Sequence, residues 1–194
     1  MSKVHTLGRR LVAQNSKWRV YLDHVADDRG NSVPDYLAIE PVVATAQDIT
    51  GICVLPVLTD GRVLLIDNFR HLFKRHSWEV VRGFVDEGET EAAAALRELT
   101  EEANVSTVAS CLQELGAYTP EPSTILARGA IFVAWNCTPG GSPDDGELGL
   151  GDARAFTRPE IEDLIERAAI EDAGTLITLL LWLRARPRGD DAGH

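Results

Sequence analysis

The chain has 194 residues, enough for one substantial domain with a small appendage and too few for two full domains. Its composition, 44% hydrophobic and 25% charged, is that of an ordinary globular protein. A formal charge of −11 repels polyanions, which argues against DNA or RNA as partners and makes a cation the natural mediator for any anionic substrate.

In chain order, the first ten residues, MSKVHTLGRR, lack the apolar core of a signal peptide. Residues 18–25 alternate as a strand, the run from Asp27 to Asn31 supplies turn chemistry, and 35–40 read as the return strand. This predicts a small N-terminal β-hairpin subdomain over 1–45, followed by a main domain over 46–186. Residues 49–58 and 62–67 form a second strand pair joined by Thr59, Asp60 and Gly61, a hairpin turn. Residues 69–78 read as a basic and aromatic loop that includes His71 and His76, whose spacing suits no metal. A helix is expected within 83–105, strands over 108–118 and 130–137, and between them a loop carrying Pro120 and Pro122.

Composition makes 138–146 (TPGGSPDDG) a mobile loop. Helices follow over 159–168 and 173–185, and the tail 187–194 is expected to be disordered. Strands, one helix, more strands and then helices indicate an α+β chain. No apolar run is long enough to span a membrane; the longest, 176–183, meets Arg184 and Arg186. Cys53, Cys111 and Cys137 are odd in number and show no CxxC spacing, so they read as buried thiols of a reducing cytoplasm.

The chemistry concentrates in 83–105, GFVDEGETEAAAALRELTEEANV. Thr90 is the expected N-cap, and Ala92, Ala95, Leu96, Leu99 and Ala103 recur at helical spacing as the buried stripe. Glu98, Glu101 and Glu102 share another edge of that helix, with Arg97 four residues before Glu101. Seven acids face one base in this segment, and two of them crowd the helix C-terminus, where the macrodipole disfavours them by roughly 0.3–1 kcal/mol each. A hard divalent cation would reverse that penalty. Spacing alone leaves two readings open, a solvated acidic face and a metal site.

The segment resembles the box of the Nudix hydrolases, G-x5-E-x7-R-E-U-x-E-E-x-G-U with U aliphatic. Gly83, Glu89, Arg97, Glu98, Leu99, Glu101, Glu102 and Val105 match it. Asn104 stands where the family has glycine, and asparagine is the next-best residue for the left-handed backbone expected there. The resemblance implies the Nudix fold, a mixed β-sheet core sandwiched between helices. It implies Glu98 and Glu102 as direct ligands of Mg2+ (or Mn2+), Glu101 as shared or outer ligand, and the carbonyl of Arg82 completing the set. Arg97 would orient Glu101, Gly83 and Glu89 would shape the loop before the helix, and a metal-bound water would attack a diphosphate in line.

Asn68-Phe69-Arg70, Trp78-Glu79 and the segment 156–183, with its Asp172 to Thr175 turn, are similar to the ADP-ribose pyrophosphatase branch. That branch implies a homodimer formed through the N-terminal subdomain. The implied substrate is a small nucleoside diphosphate derivative, ADP-ribose or an ADP-sugar, with another nucleotide sugar or a dinucleotide as the alternative. A non-catalytic nucleotide sensor is the alternative of a different class, disfavoured because all the box glutamates are present.

Trp18, and less strongly Tyr36, would stack on the nucleobase or else pack the hairpin. Arg70 would clamp a phosphate or else stay solvated. Glu147, after the glycine-rich loop, aligns with the family's mobile catalytic carboxylate; Asp144 and Asp145 are its rivals. The pre-box Val81-Arg82, in place of Pro-Ala, and the stretch 122–127 depart from the branch near the expected pocket.

Overall fold

A computed structural model describes residues 3–45, 47–140 and 150–185. The N-terminal unit is a three-stranded antiparallel sheet, β1 (Val4–Gln14), β2 (Trp18–Asp27) and β3 (Ser32–Pro41), in the order β1-β2-β3. The expected hairpin is β2–β3, and β1 is an addition to it. Every residue of β1 is exposed, so no in-and-out alternation marks it in the sequence. Only its register with β2, from Val4 opposite Asp27 to Gln14 opposite Arg19, makes it a strand. Arg9 on β1 holds the buried Asp23 of β2 with two hydrogen bonds, 2.9 and 2.7 Å.

The main sheet contains β4 (Ile49–Leu58), β5 (Val63–Arg70), β6 (Arg75–Glu79), β7 (Val81–Phe84), β8 (Val105–Ser106), β9 (Leu112–Tyr118), β10 (Arg128–Pro139) and β11 (Ala153–Phe156). Its spine runs β11-β5-β4-β10-β8, with β6 on β5, β7 on β4 and β9 on β10. The β4–β10 pair is parallel and the others are antiparallel, which makes the sheet mixed. The helices are α1 (Glu91–Ala103), α2 (Arg158–Glu166) and α3 (Ala173–Trp182).

Strand periodicity explains the layering. On β4, Ile52 and Val54 face one core with Ala95 and Leu99 of α1, while Cys53, Leu55 and Val57 face a second core with Ile161 of α2 and Leu179 of α3. On β5, Leu64 and Ile66 join the first core, Val63 and Leu65 the second. Both sheet faces are thus covered, as a sheet whose central strands read as continuous apolar runs requires. The architecture is α+β, a mixed sheet core between helices with an N-terminal antiparallel sheet, as the resemblance implies.

Three expectations change. The segment expected as a loop at 69–78 is largely strand: β5 continues to Arg70, and β6 returns in register with it, Ile66 opposite Glu79 and Arg70 opposite Arg75. The short strand β11 is a further addition. At the start of the expected mobile loop, β10 continues to Pro139; residues 141–146 and the tail 187–194 lie outside the described residues.

Candidate active site

Helix α1 starts where Thr90 Oγ1 accepts the N–H of Ala93 at 3.2 Å, and ends where Asn104 takes the left-handed conformation, φ 50° and ψ 41°. The N–H of Asn104 closes back on the carbonyl of Leu99. The buried stripe is Ala94, Ala95, Leu99 and Ala103, flanked by the partly buried Leu96; Ala92 is exposed and drops out of the stripe predicted for it. The acidic edge also lies differently. Glu98 and Glu102 are themselves buried, 7% and 8% exposed, while Glu101 stays at the rim.

Room for Glu98 comes from Gly83 on β7, because a β-carbon there would lie 1.8 Å from Glu98 Oε1 and 2.0 Å from its carboxyl carbon. Glu102 Oε2 accepts the backbone N–H of Arg82 at 3.0 Å. Strand β7 pairs with β4 on one edge and offers this N–H to the helix carboxylate.

Arg97 is the hub of the segment. Its Nη1 donates to Glu98 Oε1 at 2.7 Å and to Glu101 Oε2 at 2.9 Å. Its Nε and Nη2 reach the two oxygens of Glu89, each at 3.0 Å, and Nη2 also reaches the carbonyl of Phe84. Glu89 accepts the N–H of Asp86 as well, which closes the loop before the helix. The Arg97 hydrogen bond holds the Glu89 carboxyl below its ordinary range, and Glu89 in turn raises the guanidinium of Arg97.

A cavity of about 270 Å³ opens beside these carboxylates, lined among others by Trp18, Phe84, Arg70, Arg82, Tyr118 and Glu102. Trp18 meets Phe84 edge-on, ring centres 5.8 Å apart. Arg70 reaches the cavity from the end of β5, with its guanidinium held in a fork by the buried Glu79. Tyr36 lies outside the lining; its hydroxyl donates to the carbonyl of Ser123 and ties β3 to the 121–126 loop. That tie is reinforced by Ile39, whose N–H donates to the Thr124 carbonyl and whose carbonyl accepts the Leu126 N–H, each at 2.8 Å. Glu147, Asp144 and Asp145 lie outside the described residues.

Among the described residues, no group of three or more His, Cys, Asp or Glu side chains is placed to hold a metal ion. The donors near the cavity nevertheless suit a hard cation. Oxygens of Glu98 and Glu101 already converge on one cationic nitrogen of Arg97, and Glu102 stands one helical turn from Glu98.

Sequence reading gave no site role to Glu79, Tyr118 or Cys53, nor to the side chain of Arg82; of these, Arg82 and Tyr118 line the cavity. Glu79, 1% exposed, takes Arg70 and Arg82; Arg82 also pairs with Asp172 at the start of α3, 2.5 Å. The visible signal was an acid embedded in the apolar run Trp78 to Val81. Beneath them, Tyr118 meets the Cys53 thiol at 3.5 Å, and burial pushes both groups up. Gly174 makes room there: a β-carbon on it would lie 2.5 Å from the Tyr118 hydroxyl.

Residues 49–128 match the family model described as the NUDIX domain. Among solved structures, the chain is similar to a crystal structure of an ADP compounds hydrolase. The TM-score is 0.77 at 22% identity, over 94% of this chain and 95% of that one. No curated protein sequence matches the chain.

Proposed function

Since the chain carries a NUDIX domain over residues 49–128, we propose that it is a magnesium-dependent Nudix hydrolase acting on a nucleoside diphosphate derivative. The substrate read for it is ADP-ribose or an ADP-sugar, cleaved at the diphosphate to a nucleoside monophosphate and a sugar phosphate. The observation that carries this reading is that Glu102, from the box helix, lines the same cavity as Trp18 and Arg70. One wall therefore offers a hard-cation ligand, another a ring for a base and a third a guanidinium for phosphate.

Glu98, Glu101, Glu102 and the carbonyl of Arg82 would hold the metal, which when bound neutralises the diphosphate and activates a water. The chain's own residues do the rest. Trp18, braced by Phe84, presents a face for stacking. Arg70, held by Glu79 in a two-point fork, would clamp the diphosphate and lose little entropy on binding. Arg97 holds the carboxylates of Glu98 and Glu101 beside each other. Glu147 is the proposed mobile carboxylate that takes the water's proton.

A second reading, another nucleotide sugar or a dinucleotide, is kept because Arg82, which lines the cavity, stands where the ADP-ribose branch has alanine. The presence of all the box glutamates, Glu98, Glu101 and Glu102, weighs against a non-catalytic sensor.

The working unit is proposed to be a homodimer joined through the N-terminal sheet, on which Val4, Leu7, Leu11, Val33 and Leu37 are exposed. A cytoplasmic setting accords with its free cysteines. Among the described residues, no helix is long and apolar enough to cross a membrane.

The test is a panel of nucleoside diphosphate derivatives with Mg2+, products resolved by chromatography, with Glu102→Gln alongside. Release of a nucleoside monophosphate from ADP-ribose or an ADP-sugar, lost by several orders of magnitude in the variant, is expected. Cleavage of dinucleotides alone selects the second reading. Undiminished turnover by Glu102→Gln removes the metal role assigned to that residue.

A further inference from the structure

We propose that Asp172 is a positioning residue for the metal edge of this site, acting through Arg82. The proposal rests on the metal-dependent reading above and adds to it a control point on the far side of the sheet.

The pre-box segment 79–82 is fastened to the start of α3 at two places. The N–H of Val80 donates to Thr175 Oγ1 at 3.2 Å, a bond sealed from solvent. Arg82 Nη1 donates to Asp172 Oδ1 at 2.5 Å, while the other oxygen of Asp172 caps α3 by accepting the N–H of Thr175 at 2.8 Å. One carboxylate thus starts a helix and holds a guanidinium 90 residues away.

The backbone of Arg82 faces the opposite layer, where its N–H donates to Glu102 Oε2. The peptide that orients Glu102 is therefore held by a side chain reaching to α3, and Glu79 steadies the same Nη1 at 3.4 Å. Sequence spacing conceals the relation, since Asp172, Arg82 and Glu102 come from three separate elements.

A staple for stability alone would not need these groups. Taking an ion pair out of water costs about as much as its attraction returns, and apolar residues of similar volume do as well or better. What a charged, hydrogen-bonded pair adds is direction: Arg82 can lie only one way between Asp172 and Glu79.

The experiment compares full-length wild type with Asp172→Asn, which keeps the N-cap because asparagine caps as well as aspartate. Binding of Mn2+ is followed by electron paramagnetic resonance without substrate, and the Mg2+ dependence of turnover is measured in parallel. Outer groups that orient metal ligands are worth about 10–100-fold in metal affinity, and a weakening of that order is expected, with kcat at saturating metal within about threefold of wild type. Arg82→Gln, which leaves the Asp172 cap in place, is expected to weaken Mn2+ binding equally, and the double variant no further. It also carries the test if Asp172→Asn fails to fold. Wild-type Mn2+ affinity in both single variants overturns the positioning role and leaves the hydrolase reading intact. A wild type that binds no Mn2+ or Mg2+ overturns both.

Discussion

Gly83 and Glu98 share one volume: the missing side chain of the first is the space taken by the carboxylate of the second, with 1.8 Å between a β-carbon on Gly83 and Glu98 Oε1. The glycine that opens the motif is thus required by the close approach of a carboxylate 15 residues later, and its φ is not positive.

Gly83→Ala must therefore expel the Glu98 carboxylate or push β7 away from α1. Overpacking of this kind costs about 1–3 kcal/mol of stability. A catalytic group misplaced by an ångström loses about 10²-fold in rate. Urea unfolding and Mg2+-dependent turnover measure the two effects. An alanine variant with wild-type activity would show that Glu98 does not need its present position.

Arg97→Met leaves Glu98 and Glu89, both largely buried, without the cation that joins them. Removing one partner of a buried pair costs about 3 kcal/mol, so metal-free protein should lose about that much, and Mg2+ should restore part of it. The pH dependence has a definite sign. Glu89 is depressed below its ordinary 4.5 by Arg97, so its contribution is complete above that value and disappears as pH falls through the lower folded-state value. The stability gap between wild type and Arg97→Met should accordingly narrow from pH 7 to about pH 3.5. A gap that stays constant or widens on acidification contradicts this pairing.

Asn104→Gly should stabilise the protein. Asn104 holds a left-handed conformation and buries an Oδ1 with no hydrogen-bond partner. Relief of both outweighs the roughly 0.5–1 kcal/mol of extra chain entropy that glycine loses, for a net gain of about 0.5–1 kcal/mol. Turnover should not change. Destabilisation on chemical denaturation would mean that the amide contributes packing that the backbone conformation does not reveal.

Association is best tested with charges on β1. Deleting residues 1–42 would also remove Tyr36 and Ile39, which hold the 121–126 loop at the cavity, and so confuse assembly with pocket damage. Leu7 and Leu11 are 62% and 50% exposed, and Leu7→Glu with Leu11→Glu should convert dimer to monomer in sedimentation while leaving the fold intact. A wild type that sediments as a fully active monomer refutes the dimer outright.

The sequence by itself determined what is local or periodic. Thr90 and Asn104 delimit α1, because caps act through bonds within one helical turn. The box spacing placed Glu98, Glu101 and Glu102 on neighbouring positions of that helix, since 3.6 residues per turn fixes the angle between them. The apolar runs 49–58 and 62–67, with the turn between them, marked a strand pair.

Tertiary structure decided everything that depends on a distant partner. Strand β1 has no buried residue, and β6 carries Arg75, His76 and Ser77, so neither shows a strand's alternation; each exists because a neighbour supplies its ladder. Exchange of Ala92 for Ala94 in the buried stripe, and burial of Glu98 and Glu102, follow from how α1 rolls against β4 and β7, which helical spacing cannot fix to better than a fraction of a turn. The contacts of Asp172 with Arg82 and of Arg82 with Glu102 join three elements through side chains, and their geometry is set only when the two layers close on the sheet.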